Sequence, residues 1–124
     1  MLIRFTTLAQ NAESGHRSGM LVAAHTLRDE GRMSHEEHEM LRLLLGWFNT
    51  NLPVPSVLEA IEHRRAISWF KPGANDAIRK MWELKQLLES HGTHVDVLRT
   101  TEPGSILYED AWQVVAKPPK GVRF

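Results

Sequence analysis

Between Asn75 and Ser90 the apolar residues Ile78, Met81, Trp82, Leu84, Leu87 and Leu88 recur at three- and four-residue intervals, and Arg79, Lys80, Glu83, Lys85 and Gln86 fill the remaining positions. This spacing predicts an amphipathic helix from about Ala74 to His91 whose stripe needs a partner surface. Lys71-Pro72-Gly73 ends the extended piece that precedes it, Asn75 or Asp76 is placed to accept from the first free amides, and Gly92 suits a left-handed cap. Val95 and Val97 then alternate with Asp96, which predicts a half-buried strand from Val95 to Thr100. Glu102-Pro103-Gly104 reads as a turn, since proline presets φ and glycine supplies a positive φ. Ile106 to Tyr108 and Trp112 to Ala116 follow as a hairpin closed by Glu109-Asp110-Ala111.

Towards the N-terminus, Met1 to Thr7 reads as a strand with Ile3 and Phe5 on one face and Leu2, Arg4 and Thr6 on the other. Gln10 to Ser18 is polar and reads as a loop; Gly19 to Glu30 returns to helical spacing, with Gly31 as its stop. Ser34 and Glu37 form a capping box ahead of Met40, Leu41, Leu43, Leu44, Leu45, Trp47 and Phe48, a run apolar around much of the helix girth, so burial on more than one side is expected. Leu52-Pro53-Val54-Pro55 ends that helix, and Ser56 to His63 suggests a further short one.

These elements predict an α+β fold: a small antiparallel sheet of about four strands, the N-terminal strand plus a C-terminal meander, packed on one side by three to four helices. The expected core is Ile3, Phe5, Leu41, Leu44, Leu45, Phe48, Ile78, Met81, Leu84, Leu88, Val97, Ile106 and Val114, with Trp47 and Trp82 lining a helix to helix contact. The chain of 124 residues, 42% of them hydrophobic, fits one domain with a modest core. Lys117 to Phe124, basic and proline-rich, is expected to be an extended or flexible tail.

A formal net charge of zero argues against a strongly electropositive nucleic-acid binder. Cysteine is absent, which excludes thiolate metal sites, disulfides and cysteine nucleophiles. Apolar runs are too short to span a bilayer and no secretory segment opens the chain, so a cytoplasmic protein without a membrane partner is expected.

The segments Arg4-Phe5, Gly46-Trp47-Phe48-Asn49 with Leu52-Pro53-Val54-Pro55, Ala66-Ile67-Ser68-Trp69-Phe70-Lys71, His91-Gly92, and Pro103-Gly104 ahead of Tyr108-Glu109-Asp110 and Gln113-Val114-Val115-Ala116 resemble a family of small uncharacterised bacterial proteins. That resemblance implies a single bacterial domain and carries no activity and no catalytic residue.

Candidate chemistry is sparse. His35-Glu36-Glu37-His38 lacks the four-residue ligand spacing of an H-E-x-x-H zinc helix, and acidic residues in a first turn already complement the helix dipole. His91 and His94 straddle a helix end, where the dipole accounts for a histidine without a metal. Phosphate-binding glycine loops, nucleophile elbows and dinucleotide fingerprints are absent. No cofactor or metal is therefore expected.

Three functional readings remain. The first is a non-enzymatic binding or regulatory module that recognises another protein through an exposed apolar or aromatic patch. The second is a nucleic-acid-binding module in which Arg64, Arg65, Trp69, Lys71, Arg79 and Lys80 share one face. The third is a small enzyme drawing on Arg4, Arg99, Tyr108, Glu109 or Gln113 in a cleft at the sheet. The missing motifs favour the first over an enzyme, and edge strands leave a homodimer open.

Overall fold

The structure, a computed structural model, describes residues 1–10, 17–52 and 66–124. Within them lie β1 (Leu2–Gln10), β2 (Arg17–Gly19), α1 (Met20–Glu30), α2 (His35–Asn51), β3 (Ile67–Phe70), α3 (Asn75–Ser90), β4 (Val95–Thr100), β5 (Ser105–Glu109) and β6 (Gln113–Lys117). The expected short helix from Ser56 to His63 and the Pro53 and Pro55 break lie outside the described residues.

All strand pairings are antiparallel, in the order β2-β1-β3-β6-β5, with β4 on β1 as well. The α+β class agrees with the sequence, but the described residues hold six strands where about four were expected. Ile67–Phe70 is an interior strand, bonded to β6 from Ile67↔Ala116 to Phe70↔Gln113 and to β1 at Ile3↔Phe70. Arg17–Gly19 is a short strand on β1, and β1 itself runs to Gln10, so both ends of the expected loop are strand.

Local signals set the helix limits. Ser34 accepts from the Glu37 amide while the Glu37 carboxylate accepts from the Ser34 amide, the reciprocal box expected of that spacing. Gly31 closes α1 at φ 69°, and Gly92 follows α3 at φ 89°. Asn75 and Asp76 do not cap α3: its cap is Ala74, with no side-chain bond, and Asp76 pairs instead with Arg79.

The helices cover one face of the sheet. Phe5, Phe70 and Val95 meet Met20, Ala24 and Leu27 of α1, Leu41, Leu44, Leu45 and Phe48 of α2, and Ala77, Met81, Leu84, Leu87 and Leu88 of α3. Ile3, Ile78 and Val97 are half-buried at its margin. Ile106 departs from expectation at 55% exposure, because β5 is an edge strand. The tryptophans also differ: Trp82 turns its ring onto Phe5, 5.3 Å between centres, and Trp47 stacks on Trp112 at 6.1 Å rather than lining a contact with Trp82.

The opposite face is closed too. Arg4, Thr6, Ile67, Trp69, Val114 and Ala116 are all buried there. Phe124 lies edge-on to Trp69 with ring centres 4.8 Å apart, and its main-chain oxygen accepts from the Arg17 amide at 3.2 Å, so these residues fold back onto the sheet.

Gly104 has φ 105°, and a Cβ there would lie 2.0 Å from the Lys117 carbonyl oxygen. Two constraints thus coincide at that turn, a positive φ and a close backbone approach. Gly104→Ala is expected to lower stability by about 2–3 kcal/mol, and Gly31→Ala, at an open site, by less; urea unfolding of the two variants measures the difference.

Candidate functional site

Two apolar stripes run along α2. Leu41, Leu44, Leu45 and Phe48 point into the core, as their three- and four-residue spacing dictates. Met40, Leu43 and Trp47 form the second stripe, and it is uncovered: Leu43 is 60% and Met40 39% exposed, with Trp47 half-buried. The sequence reading expected burial on more than one side of this helix; the second side faces solvent instead.

That stripe floors a groove of about 560 Å³ between α2 and α3, lined by His35, Glu36, Glu39, Met40, Leu43, Leu44, Trp47, Lys80 and Glu83. Lys80 reaches across from α3, its Nζ 5.2 Å from the Trp47 ring centre, a cation-π contact that fixes one wall. Glu39 is ion-paired with Arg42, and that hydrogen bond holds its carboxyl below the usual glutamate range. Beside that pair the rim carries the carboxylates of Glu36 and Glu83 and the ammonium of Lys80.

A second polar cluster closes the β5 to β6 hairpin. Asp110 accepts from the Trp112 and Gln113 amides at 2.8 Å each, from the Tyr108 hydroxyl at 2.8 Å and from the Gln113 side chain at 3.3 Å. Burial alone would raise its carboxyl pKa, but these donors outweigh it and the net shift is downward; the Tyr108 hydroxyl, hydrogen-bonded to Asp110, is shifted upward. Every polar atom Asp110 offers is spent on the turn, which makes the cluster a hairpin staple with no group poised for acid or base work.

The five residues of the enzyme reading do not converge. Tyr108 and Gln113 belong to this staple, and Glu109 pairs with Lys71 at 2.5 Å. Arg99 is opposite Ile3 and Leu98 opposite Arg4, so Arg4 and Arg99 leave the β1–β4 ladder on opposite faces.

The described members of the basic patch lie in different settings. Arg64 and Arg65 lie outside the described residues. Trp69, its intended stacking platform, is 1% exposed because β3 is an interior strand. Arg79 is tied to Asp76, Lys71 to Glu109, and Lys80 belongs to the α2–α3 groove.

His91 and His94 are held by carboxylates. His91 Nε2 is 2.8 Å from Glu37, linking the end of α3 to the start of α2, and His94 Nε2 is 2.7 Å from Asp96, which also accepts from Arg17 at 2.6 Å. Among the described residues no group of three or more histidine, aspartate and glutamate side chains is arranged to hold a metal, and no helix is long and apolar enough to cross a membrane.

Set against protein-family models, curated proteins and solved structures, the chain matches none of them. The resemblance drawn from its sequence segments therefore lends no residue role to any site, and the geometry alone carries the functional argument.

The His91 hydrogen bond, followed by that from the Ser34 amide, holds the Glu37 carboxyl below its ordinary value of 4.5. A depressed carboxyl contributes stability above its unfolded pKa and loses that contribution as pH falls through the folded value. Acid destabilisation is thus expected to begin below about pH 4.5 and to be shallower in Glu37→Gln. Urea unfolding repeated at a series of acidic pH values checks it; parallel acid limbs in the two proteins would contradict it.

Proposed function

We propose that the protein is a non-enzymatic recognition module whose α2–α3 groove takes an amphipathic helix from another protein. The observation that carries this reading is the uncovered stripe of Met40, Leu43 and Trp47. Apolar side chains at helical spacing on the floor of a groove are the surface that helix-in-groove recognition uses, with partner residues at i, i+3, i+4 and i+7 as anchors. Scattered exposed leucines need no explanation, but here the exposed residues are contiguous and concave.

The rim adds orientation. With Glu39 paired to Arg42, Glu36 and Glu83 still outnumber Lys80, so a partner helix flanked by lysine or arginine is favoured over an acidic one, through encounter rate and register more than through raw affinity. The separation of Arg4 from Arg99 across the sheet and the burial of Trp69 support this reading over an enzyme or a nucleic-acid binder.

The test uses two designed helical peptides with the same leucine stripe, one flanked by lysines and one by glutamates. The lysine-flanked peptide is expected to move amide signals of residues 35–47 and 80–83 and to quench Trp47. Leu43→Glu should weaken binding at least tenfold, about 1.4 kcal/mol, with stability changed by no more than about 0.5 kcal/mol, as for an exposed position. No shifts with either peptide, or equal shifts with both spread over the whole surface, would overturn the reading.

A further inference from the structure

On its flank away from the α2–α3 groove, α2 borders a second cleft, of about 520 Å³, shared with α1. Leu21, Leu45, Phe48 and Leu52 give it an apolar lining, while Arg28 and Arg42 bring guanidiniums to it and His25 an imidazole. The two kinds of group are segregated. Arg28 stands in the last turn of α1 and Arg42 early in α2, both towards the connection at Gly31, whereas Leu21 opens α1 and Leu52 closes α2. One end of the cleft is therefore cationic and the other apolar, with roughly 10 Å along α1 from Leu21 to Arg28 and roughly 15 Å along α2 from Arg42 to Leu52. A concave, largely apolar space of this size with a few placed polar groups is the ordinary form of a small-molecule site.

Gly46 points the same way. It lies inside α2, where glycine costs helix stability relative to alanine, yet a Cβ built on it would meet no atom of the described residues within 4 Å. Packing among the described residues does not call for it. Its bare backbone lines the cleft between Leu45 and Arg42, where a ligand can lie close against the helix. Arg28 and Arg42 already hold the carboxylates of Asp29 and Glu39, but neither acid is among the described lining residues and the four side chains are 43% to 71% exposed. Exposed pairs of this kind are weak, and the five N–H groups of a guanidinium can serve a second carboxylate beside the first.

We propose that the α1–α2 cleft binds a single-chain amphiphile with a carboxylate head, a medium-chain fatty acid, its head on Arg28 and Arg42 and its alkyl chain running past Gly46 towards Leu21 and Leu52. Charge-assisted hydrogen bonds orient the head, and methylenes laid against Leu45 and Phe48 supply most of the affinity. A small inorganic anion uses only one end of the cleft, and a neutral lipid only the other. The cleft shares α2 with the α2–α3 groove but none of its described lining residues, so the failure of either reading leaves the other intact.

Decanoate, decanol and acetate are titrated separately into the full chain, below micelle-forming concentrations, while backbone amide signals are followed. Decanoate is expected to shift signals of residues 21–28 and 42–52 saturably and to bind at least tenfold more tightly than decanol or acetate. Arg28→Gln should weaken decanoate about tenfold, the loss of one charge-assisted bond, and leave decanol unchanged. Gly46→Leu, whose side chain enters the open space, should abolish the shifts while folding as well as the parent, since leucine is the better helix former. Leu43→Glu, which spoils the α2–α3 groove, should leave decanoate binding as it was. The proposal is overturned by equal affinity for decanoate and decanol, by decanoate shifts confined to the α2–α3 groove, by the absence of a saturable shift, or by undiminished binding in Gly46→Leu. Should Gly46→Leu fail to fold, Arg28→Gln, at an exposed position, decides.

Discussion

β1 is hydrogen-bonded along both edges, and everything else in the fold is arranged around that fact. β4 takes one edge, from Leu2↔Thr100 to Thr7↔Val95, while β3 and β2 share the other, meeting it at Ile3 and from Thr6 onward. From Arg4 to Thr7 both of its faces are buried as well. Its pleat therefore divides the molecule: Phe5 is sent to the helices, Arg4 and Thr6 to the far face. Thr6 meets this demand by donating to the Ser18 carbonyl at 2.9 Å. Arg4 donates from Nη2 to the Arg17 carbonyl oxygen, one residue before Ser18 on the same short strand.

The same logic of faces explains α2. One stripe of a helix is enough to anchor it to a core, and Leu41, Leu44, Leu45 and Phe48 supply that stripe. Met40 and Leu43 add nothing to the anchoring, since their side chains remain in water in the folded chain. The tether of Trp47 to Trp112 and Lys80 holds the wall of the groove in place, so its shape is set by contacts within the chain.

Much of this architecture is legible from residues whose signals are local. The Ser34 and Glu37 box, the glycines at 31, 92 and 104 and the stripe of α3 each specify their conformation within a few positions, and each appears where its spacing places it. What is not legible depends on distant pairing. Ile67–Phe70 reads as extended, but its place between β1 and β6 follows only from partners far along the chain. Arg17–Gly19 is three residues with no periodicity and becomes a strand because β1 offers an edge. The groove is half legible: the excess apolar girth of α2 signals a second surface, but nothing local tells a buried surface from an open one. Arg4 draws notice as a candidate, in the wrong company, because which strand lies beside it is a matter of topology.

The ordering of β1 also bears on how the chain is made. Its Arg17–Gly19 neighbour emerges from the ribosome soon after it, whereas Ile67–Phe70 and Val95–Thr100 emerge only when most of the polypeptide has been synthesised. Through that interval one long margin of the strand has no native mate, while α2, with its own cap, can already wind. A cation midway along an unmated apolar strand discourages copies on neighbouring polysomes from zipping together. A residue hidden in the finished molecule is thus useful in the unfinished one.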